Sequence, residues 1–282
     1  MNMQIRFLFL ILFSFVTANY FFSQSLDKIS NLSKKLNEIS GLEVLNDSCF
    51  LAHNDGGNDP KLFILNKKGE IIHEVLVTNA KNVDWEDITR DEKNIYIADA
   101  GNNSNTRKDL CIYIIKIDSL LFKKEVKAEI IEFSYEDQKD FPPNKDSFLF
   151  DCEAIAYFED ELYLFTKCRT EPYSGICNVY KLSCKKGQRK AKFLQSIQLK
   201  DRKMKLDGVT AAEIEDGVCY LLTYSSVEIF SCINDKFEKI KRIKLELISQ
   251  KEALCKKGKN LYIADEYYSS ALKNKFYKLK LK

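Results

Sequence analysis

Proline and glycine are scarce in this chain, four and ten among 282 residues, so no Pro/Gly-rich linker divides it and a single large domain is expected. An excess of one charge is also missing. The 44 basic residues face 41 acidic ones, and basic runs such as 185–192 fall where strands should turn, which argues for a solvated surface and against nucleic-acid binding. The nine cysteines are scattered singly without a CxxC pair, which argues against zinc. Their odd number leaves at least one thiol unpaired, and no disulfide connectivity is assigned. Nucleophile elbow, phosphate loop and HExxH are all absent, so covalent serine or cysteine catalysis has no support. Tryptophan occurs once, against 14 tyrosines and 19 phenylalanines, a balance that suits strands.

Only the first two dozen residues hold a long apolar run. Arg6 precedes Phe7 to Val16, and Ser23 and Gln24 close the segment, the layout of a signal peptide over residues 1–24. Including Tyr20 to Phe22 would make an uncleaved anchor. No cysteine precedes Cys49, so a lipid-attachment cysteine is not expected. The expectation is a secreted or periplasmic protein, with residues 25–282 as one domain and no transmembrane segment after signal removal.

What organises the rest is a repeat. Short apolar runs recur at Phe50–His53, Tyr96–Asp99, Tyr163–Thr166, Tyr220–Thr223 and Tyr262–Asp265, each ending in a polar residue. Upstream lie Gly41-Leu42-Glu43, Trp85-Glu86-Asp87, Cys152-Glu153-Ala154, Val209-Thr210-Ala211 and Lys251-Glu252-Ala253. From Glu86, Glu153, Thr210 and Glu252 to the end of the following run is thirteen residues in every case, while Glu43 to His53 is ten, as a shorter hairpin would give. A third run surrounds Phe63, Tyr113, Tyr180, Phe230 and Tyr277. A fourth follows in the first four units, at 71–77, 128–133, 193–199 and 237–245. The pattern predicts an all-β fold, a β-propeller of five blades with four antiparallel strands each, in which residues 26–38 supply the outer strand that the last unit lacks. A six-bladed alternative would place extra strands within Ser119 to Phe150.

In a propeller the first strand of each blade lines the axis, so Glu43, Glu86, Glu153 and Glu252, with Thr210 as the fifth member, are expected to form a ring. Oxygen donors alone suit Ca²⁺ or Mg²⁺. His53, Asp99 and Glu153 are the candidate catalytic groups. Asn54, Asp55, Asn102, Asn103, Arg107 and Lys167 are the candidate ligand-binding residues, in loops whose Asn-Asp-Gly content also has a plain reading as turn chemistry. The recurring glutamates have a plain reading too, as partners of neighbouring backbone amides. Trp85 is read as core. If there is chemistry, metal-activated water attacking an ester, lactone or phosphoester is the form these residues allow.

The segments Ile39-Ser40-Gly41-Leu42-Glu43, His53-Asn54-Asp55-Gly56-Gly57, Asn82-Val83-Asp84-Trp85-Glu86-Asp87-Ile88, Asp99-Ala100-Gly101-Asn102-Asn103 with Arg107, and Asp151-Cys152-Glu153-Ala154 before Thr166-Lys167 resemble exported bacterial propellers related to the esterase-like phytase and SdiA-regulated (NHL-like) families. The resemblance covers the first three units and fades in the last two. It implies an exported propeller, with Arg107, Lys167 and Arg169 as the residues placed to hold phosphate in a phytase-like reading. Gluconolactonase-like propellers use an axial Glu, Asn and Asp around a divalent ion, which Glu43, Asn102 or Asn103, and Asp207 would imitate. The expected function is binding of a small molecule or protein partner at an acidic, Asn-rich rim by a monomer, with metal-dependent hydrolysis as the alternative.

Overall fold

The computed structural model describes residues 26–246, 248–270 and 272–282; the expected signal segment lies outside them. The described chain is all-β of the propeller kind, and its one α-helix, α1 (Met204–Asp207), is a single turn. After β1 (Asp27–Asn31), the first meander runs β2 (Ile39–Val44), β3 (Cys49–Asn54), β4 (Lys61–Asn66) and β5 (Ile71–Val77). The second is β6 (Trp85–Arg90), β7 (Asn94–Asp99), β8 (Cys111–Lys116) and, beyond the two-residue β9 (Glu125–Val126), β10 (Glu129–Tyr135). The third is β11 (Asp151–Phe158), β12 (Glu161–Lys167), β13 (Ile176–Ser183) and β14 (Gly187–Gln198). The fourth is β15 (Val209–Glu215), β16 (Val218–Thr223), β17 (Ser226–Ile233) and β18 (Lys236–Lys244), and the last is β19 (Lys251–Lys257), β20 (Asn260–Asp265) and β21 (Lys275–Lys280). Strand β1 pairs antiparallel with β21, setting Asp27 opposite Lys278 and Asn31 opposite Lys275. Ser119 to Phe150 therefore contributes β9, β10 and a short 3-10 turn rather than a further meander.

Tight hairpins explain how so few glycines suffice. Glu159-Asp160, Asp216-Gly217 and Asn234-Asp235 all take positive φ at both positions, the left-handed pair that a two-residue loop between twisted strands requires. Asp and Asn tolerate it through local hydrogen bonds, and Glu159 shows that the strands on either side can impose it.

Buried side chains collect into five clusters, each between two successive meanders. The fifth lies between the last meander and the first, where Phe276 packs on Phe50 with ring centroids 5.3 Å apart. First strands β2, β6, β11, β15 and β19 pack side by side in chain order, and β19 also packs on β2. Two outer contacts extend the sheets. Strand β9 pairs parallel with β5, and β10 pairs parallel with β14, so that the second and third meanders share one eight-stranded sheet.

All nine cysteines are unpaired thiols, seven of them buried, where a small apolar side chain fits the strand pattern.

Candidate acidic mouth of the central axis

Every first strand carries a bulge near its start, and the bulge decides which side chain turns to the axis. In β11 the register slips between Cys152 and Ala154, in β15 between Val209 and Ala211, in β19 between Lys251 and Ala253, and in β6 between Trp85 and Ile88. Glu153, Thr210, Glu252 and Glu86 are the extra residues. In β2 the slip falls between Ile39 and Gly41, so the equivalent residue is Ser40, and Glu43 lies three residues, about 10 Å, farther along the strand. The first hairpin is one residue longer than the others, since Ile39 pairs with Asn54 where Cys152 pairs with Thr166.

Glu43 accordingly does not join the other glutamates. Its Oε1 accepts the Val44 amide at 2.5 Å, and its carboxyl is held well above the usual carboxylate range by burial and by the nearby Glu213. Its position matches Glu213 of β15, which is pushed up to about 7 by burial.

Between these two levels the first strands are laced together by side chains. First strands of a propeller have no ladder partner on their axial edge, so their amides and carbonyls need other partners. Asp87, fully buried, supplies three: its Oδ1 accepts the Ile88 amide at 2.8 Å, and its Oδ2 accepts the amides of Ile155 at 2.9 Å and Ala212 at 3.1 Å. One carboxylate thus ties β6 to β11 and β15. Ser40 donates to the Glu86 carbonyl, Thr210 to the Lys251 carbonyl at 2.7 Å, and Thr89 accepts the Tyr157 amide at 3.0 Å. Arg90 reaches the carbonyls of Val44 and Leu45 at 3.0 and 2.8 Å.

Above the lacing lies a mouth of opposite character. Glu153 is buried with both oxygens in ion pairs, Lys167 Nζ at 2.7 Å and Arg169 Nη2 at 2.6 Å. Arg169 Nε also meets Asp151 Oδ2 at 2.5 Å, and the other oxygen of Asp151 accepts the Asn102 amide at 2.5 Å. Burial pushes Glu153 up, but Lys167 and Arg169 outweigh it and hold its carboxyl down at about 2. Asp151 is raised to about 7 by burial and by Glu153. Tyr224 donates to Glu252 at 2.9 Å, and burial raises Glu252 to about 8. Asp55 is raised to about 7, and Asp84 and Glu86 are raised as well, burial being the first cause for each and Glu153 the second for Asp84 and Glu86. Two groups bring carboxylate oxygens within 4.8 Å of one another: Asp55 with Asp84 and Glu86, and Glu86 with Asp151 and Glu153.

The remaining sequence candidates divide. Asp99 accepts the Asp84 amide at 3.1 Å and pairs with Arg107 at 3.0 Å, while Arg107 also donates to the Gly101 carbonyl. Asn102 holds the Phe150 carbonyl and the Arg107 amide, and Asn54 holds the Lys35 carbonyl. These four fix loops. Asn103 is exposed and reaches Asp84 at 3.5 Å. His53 is wholly buried, edge-on to Trp85 at 5.4 Å. Its Nδ1 must donate to the Asn54 carbonyl at 3.0 Å, since a carbonyl only accepts. Asp207 lies outside the mouth in ion pairs with Arg202 and Arg242. Asp84 and Asp151 entered only within the segments of the resemblance and Arg169 only as a residue placed to hold phosphate, and Tyr224 was not among the candidates. The paired Asp-x-Glu of Asp84-Glu86 and Asp151-Glu153 is the signal that marks the first two.

No model of a known protein family matches the sequence, and no curated protein matches it. Among solved structures, the chain resembles the glutaminyl cyclase of Myxococcus xanthus with a TM-score of 0.51 at 8% identity, over 93% of this chain and 95% of that one. A luciferin-regenerating enzyme gives 0.48 at 9% identity over 92% and 95%. The WD40 β-propeller domain of Doa1 gives 0.38 at 9% identity over 86% and 70%.

Proposed function

We propose that this chain is an exported five-bladed β-propeller, closed by β1 on β21, whose acidic mouth binds a small molecule or protein segment bringing positive charge to it. Five meanders separated by five buried clusters support the blade count, and the N-terminal charge-apolar-polar layout supports export. The observation that carries the binding reading is the charge imbalance of the mouth. Asp55, Asp84, Glu86, Asp151, Glu252 and Glu266 all feel the charge of Glu153, and among the described residues these seven carboxylates meet only Lys167 and Arg169 at ion-pair distance. Burial makes that imbalance costly, and a bound cation relieves it.

A thermal-shift series with spermidine and a basic peptide at low ionic strength tests this. Stabilisation that weakens with salt and is lost in Asp84→Asn/Glu86→Gln supports the reading. No stabilisation, or the same stabilisation in the variant, sinks it. Mass spectrometry of protein recovered from an expressing bacterium checks export: a mature chain beginning near residue 25 is expected, and an intact Met1 in the exported fraction would contradict a cleaved signal.

One observation favours hydrolysis as a second reading. Glu153 stays ionised beside Asp151, whose carboxyl is pushed up to about 7, the split in protonation that general acid–base chemistry uses. Turnover of an ester, lactone or phosphoester panel that Asp151→Asn abolishes, with the fold intact, would establish it.

A further inference from the structure

The mouth contains two overlapping acidic groups, and their surroundings differ. In the group of Glu86, Asp151 and Glu153, all four oxygens of the last two are taken by Arg169, Lys167 and the Asn102 amide. A cation there would have to displace built contacts. In the group of Asp55, Asp84 and Glu86, Asp55 accepts one amide, that of Gly56, and Asp84 accepts a 3.5 Å contact from Asn103. No side chain among the described residues pairs within ion-pair distance with these three. Glu86 is the telling member. It is 5% exposed, its carboxylate is aimed at both neighbours, and no hydrogen-bond donor among the described residues meets it. A buried carboxylate normally has such partners.

The backbone makes room for this group. A Cβ on Gly56 would stand 2.6 Å from Asp84 Oδ1, and one on Gly101 would overlap Glu86 Oε1 and Asp84 Oδ2. Two glycines from adjacent blades thus leave the carboxylates a cradle that any other residue would fill. Asp55 and Asp84 remain partly exposed, so the cradle opens to solvent.

We infer that Asp55, Asp84 and Glu86 form a divalent-cation centre, selective for a hard ion of the Ca²⁺ or Mg²⁺ type. Three carboxylates from two blades supply half or fewer of the oxygens Ca²⁺ takes, and water or a ligand's oxygens supply the others. Soft ions find no sulfur or imidazole in this group, whose donors are all carboxylate oxygen. The inference rests on the acidic-mouth reading and gives that mouth its cation.

The test uses Tb³⁺ and Ca²⁺ alone on the exported chain after chelation. Trp85 lies in the chain between two of the three ligands, so it is placed to sensitise bound Tb³⁺. One saturable equivalent of sensitised emission, displaced by Ca²⁺, is expected. Asp55→Asn and Asp84→Asn should each weaken Ca²⁺ about tenfold or more, whereas Glu43→Gln should bind as the parent does. Gly101→Ala keeps every charge but fills the cradle, so it should lose Ca²⁺ while still binding spermidine; should it fail to fold, Gly56→Ala, which crowds Asp84 while keeping every charge, carries the comparison. Absent emission overturns the centre, as does binding that survives Asp55→Asn and Asp84→Asn but fails in Asp151→Asn. If Ca²⁺ does not bind and spermidine does, the centre falls and the acidic mouth stands; if neither binds, both fall.

Discussion

His53 shows how a buried side chain converts position into pH dependence. Burial pushes its pKa down to about 4, against about 6.5 in an unfolded chain. The unfolded state therefore takes up the proton first as pH falls, and stability drains between about 6.5 and 4. The melting temperature of the parent should fall more steeply across that window than that of His53→Gln. Equal slopes would show that His53 titrates normally. Glu153 runs on the other arm: its contribution is present above the unfolded carboxylate value and fades only as pH drops towards about 2. Replacing it as Glu153→Gln leaves Lys167 and Arg169 buried with one partner fewer, which should cost about 3–5 kcal/mol in urea unfolding. At this scale the sequence misleads where one residue changes register. Glu43 carries the same chemistry as Glu86, but a bulge at Ser40 rather than three residues later sends it to another level of the axis. Composition and spacing cannot locate a bulge, because it is set by how two paired strands share an odd residue.

Strands were more legible than sites because period-two apolar runs and aromatic third strands recur in each unit. The fourth strand of the first meander, Ile71–Val77, falls where the apolar run predicts it. Strand β14 begins at Gly187, six residues before its apolar run, because its polar first half pairs with β10 and needs no core-facing pattern. Asp87 is the element-level residue that sequence could not show. Its role lies in amides 68 and 125 residues away, and no local pattern announces them. Asp87→Ala strands the amides of Ile155 and Ala212, at about 1–3 kcal/mol each. A Tm drop no larger than that of an exposed control such as Asp47→Ala would refute the lacing. Strand β1 makes a second element-level prediction. A chain beginning at residue 32 leaves the β21 edge bare, so it should melt earlier and self-associate in size-exclusion chromatography; a monomer of unchanged stability would show that β1 is dispensable.

At the level of the whole molecule, the outer pairings are distributed unevenly. Strand β9 hooks the second meander onto the first, and β10 with β14 joins the second to the third, whereas the third and fourth meet at their rims through Gln195 bridging the amide and carbonyl of Phe237. The first three meanders thus share backbone ladders, and the fourth relies on side chains. Native-state amide hydrogen exchange should resolve two cooperative blocks, with β15 to β18 opening at lower free energy than β2 to β14. Uniform protection around the ring would show that the axial lacing alone sets cooperativity. The parallel strap at the rim places Asp55, Asp84 and Glu86 on the stitched side, so opening of the fourth meander should leave the cradle in place while parting Tyr224 from Glu252 at the opposite side of the mouth.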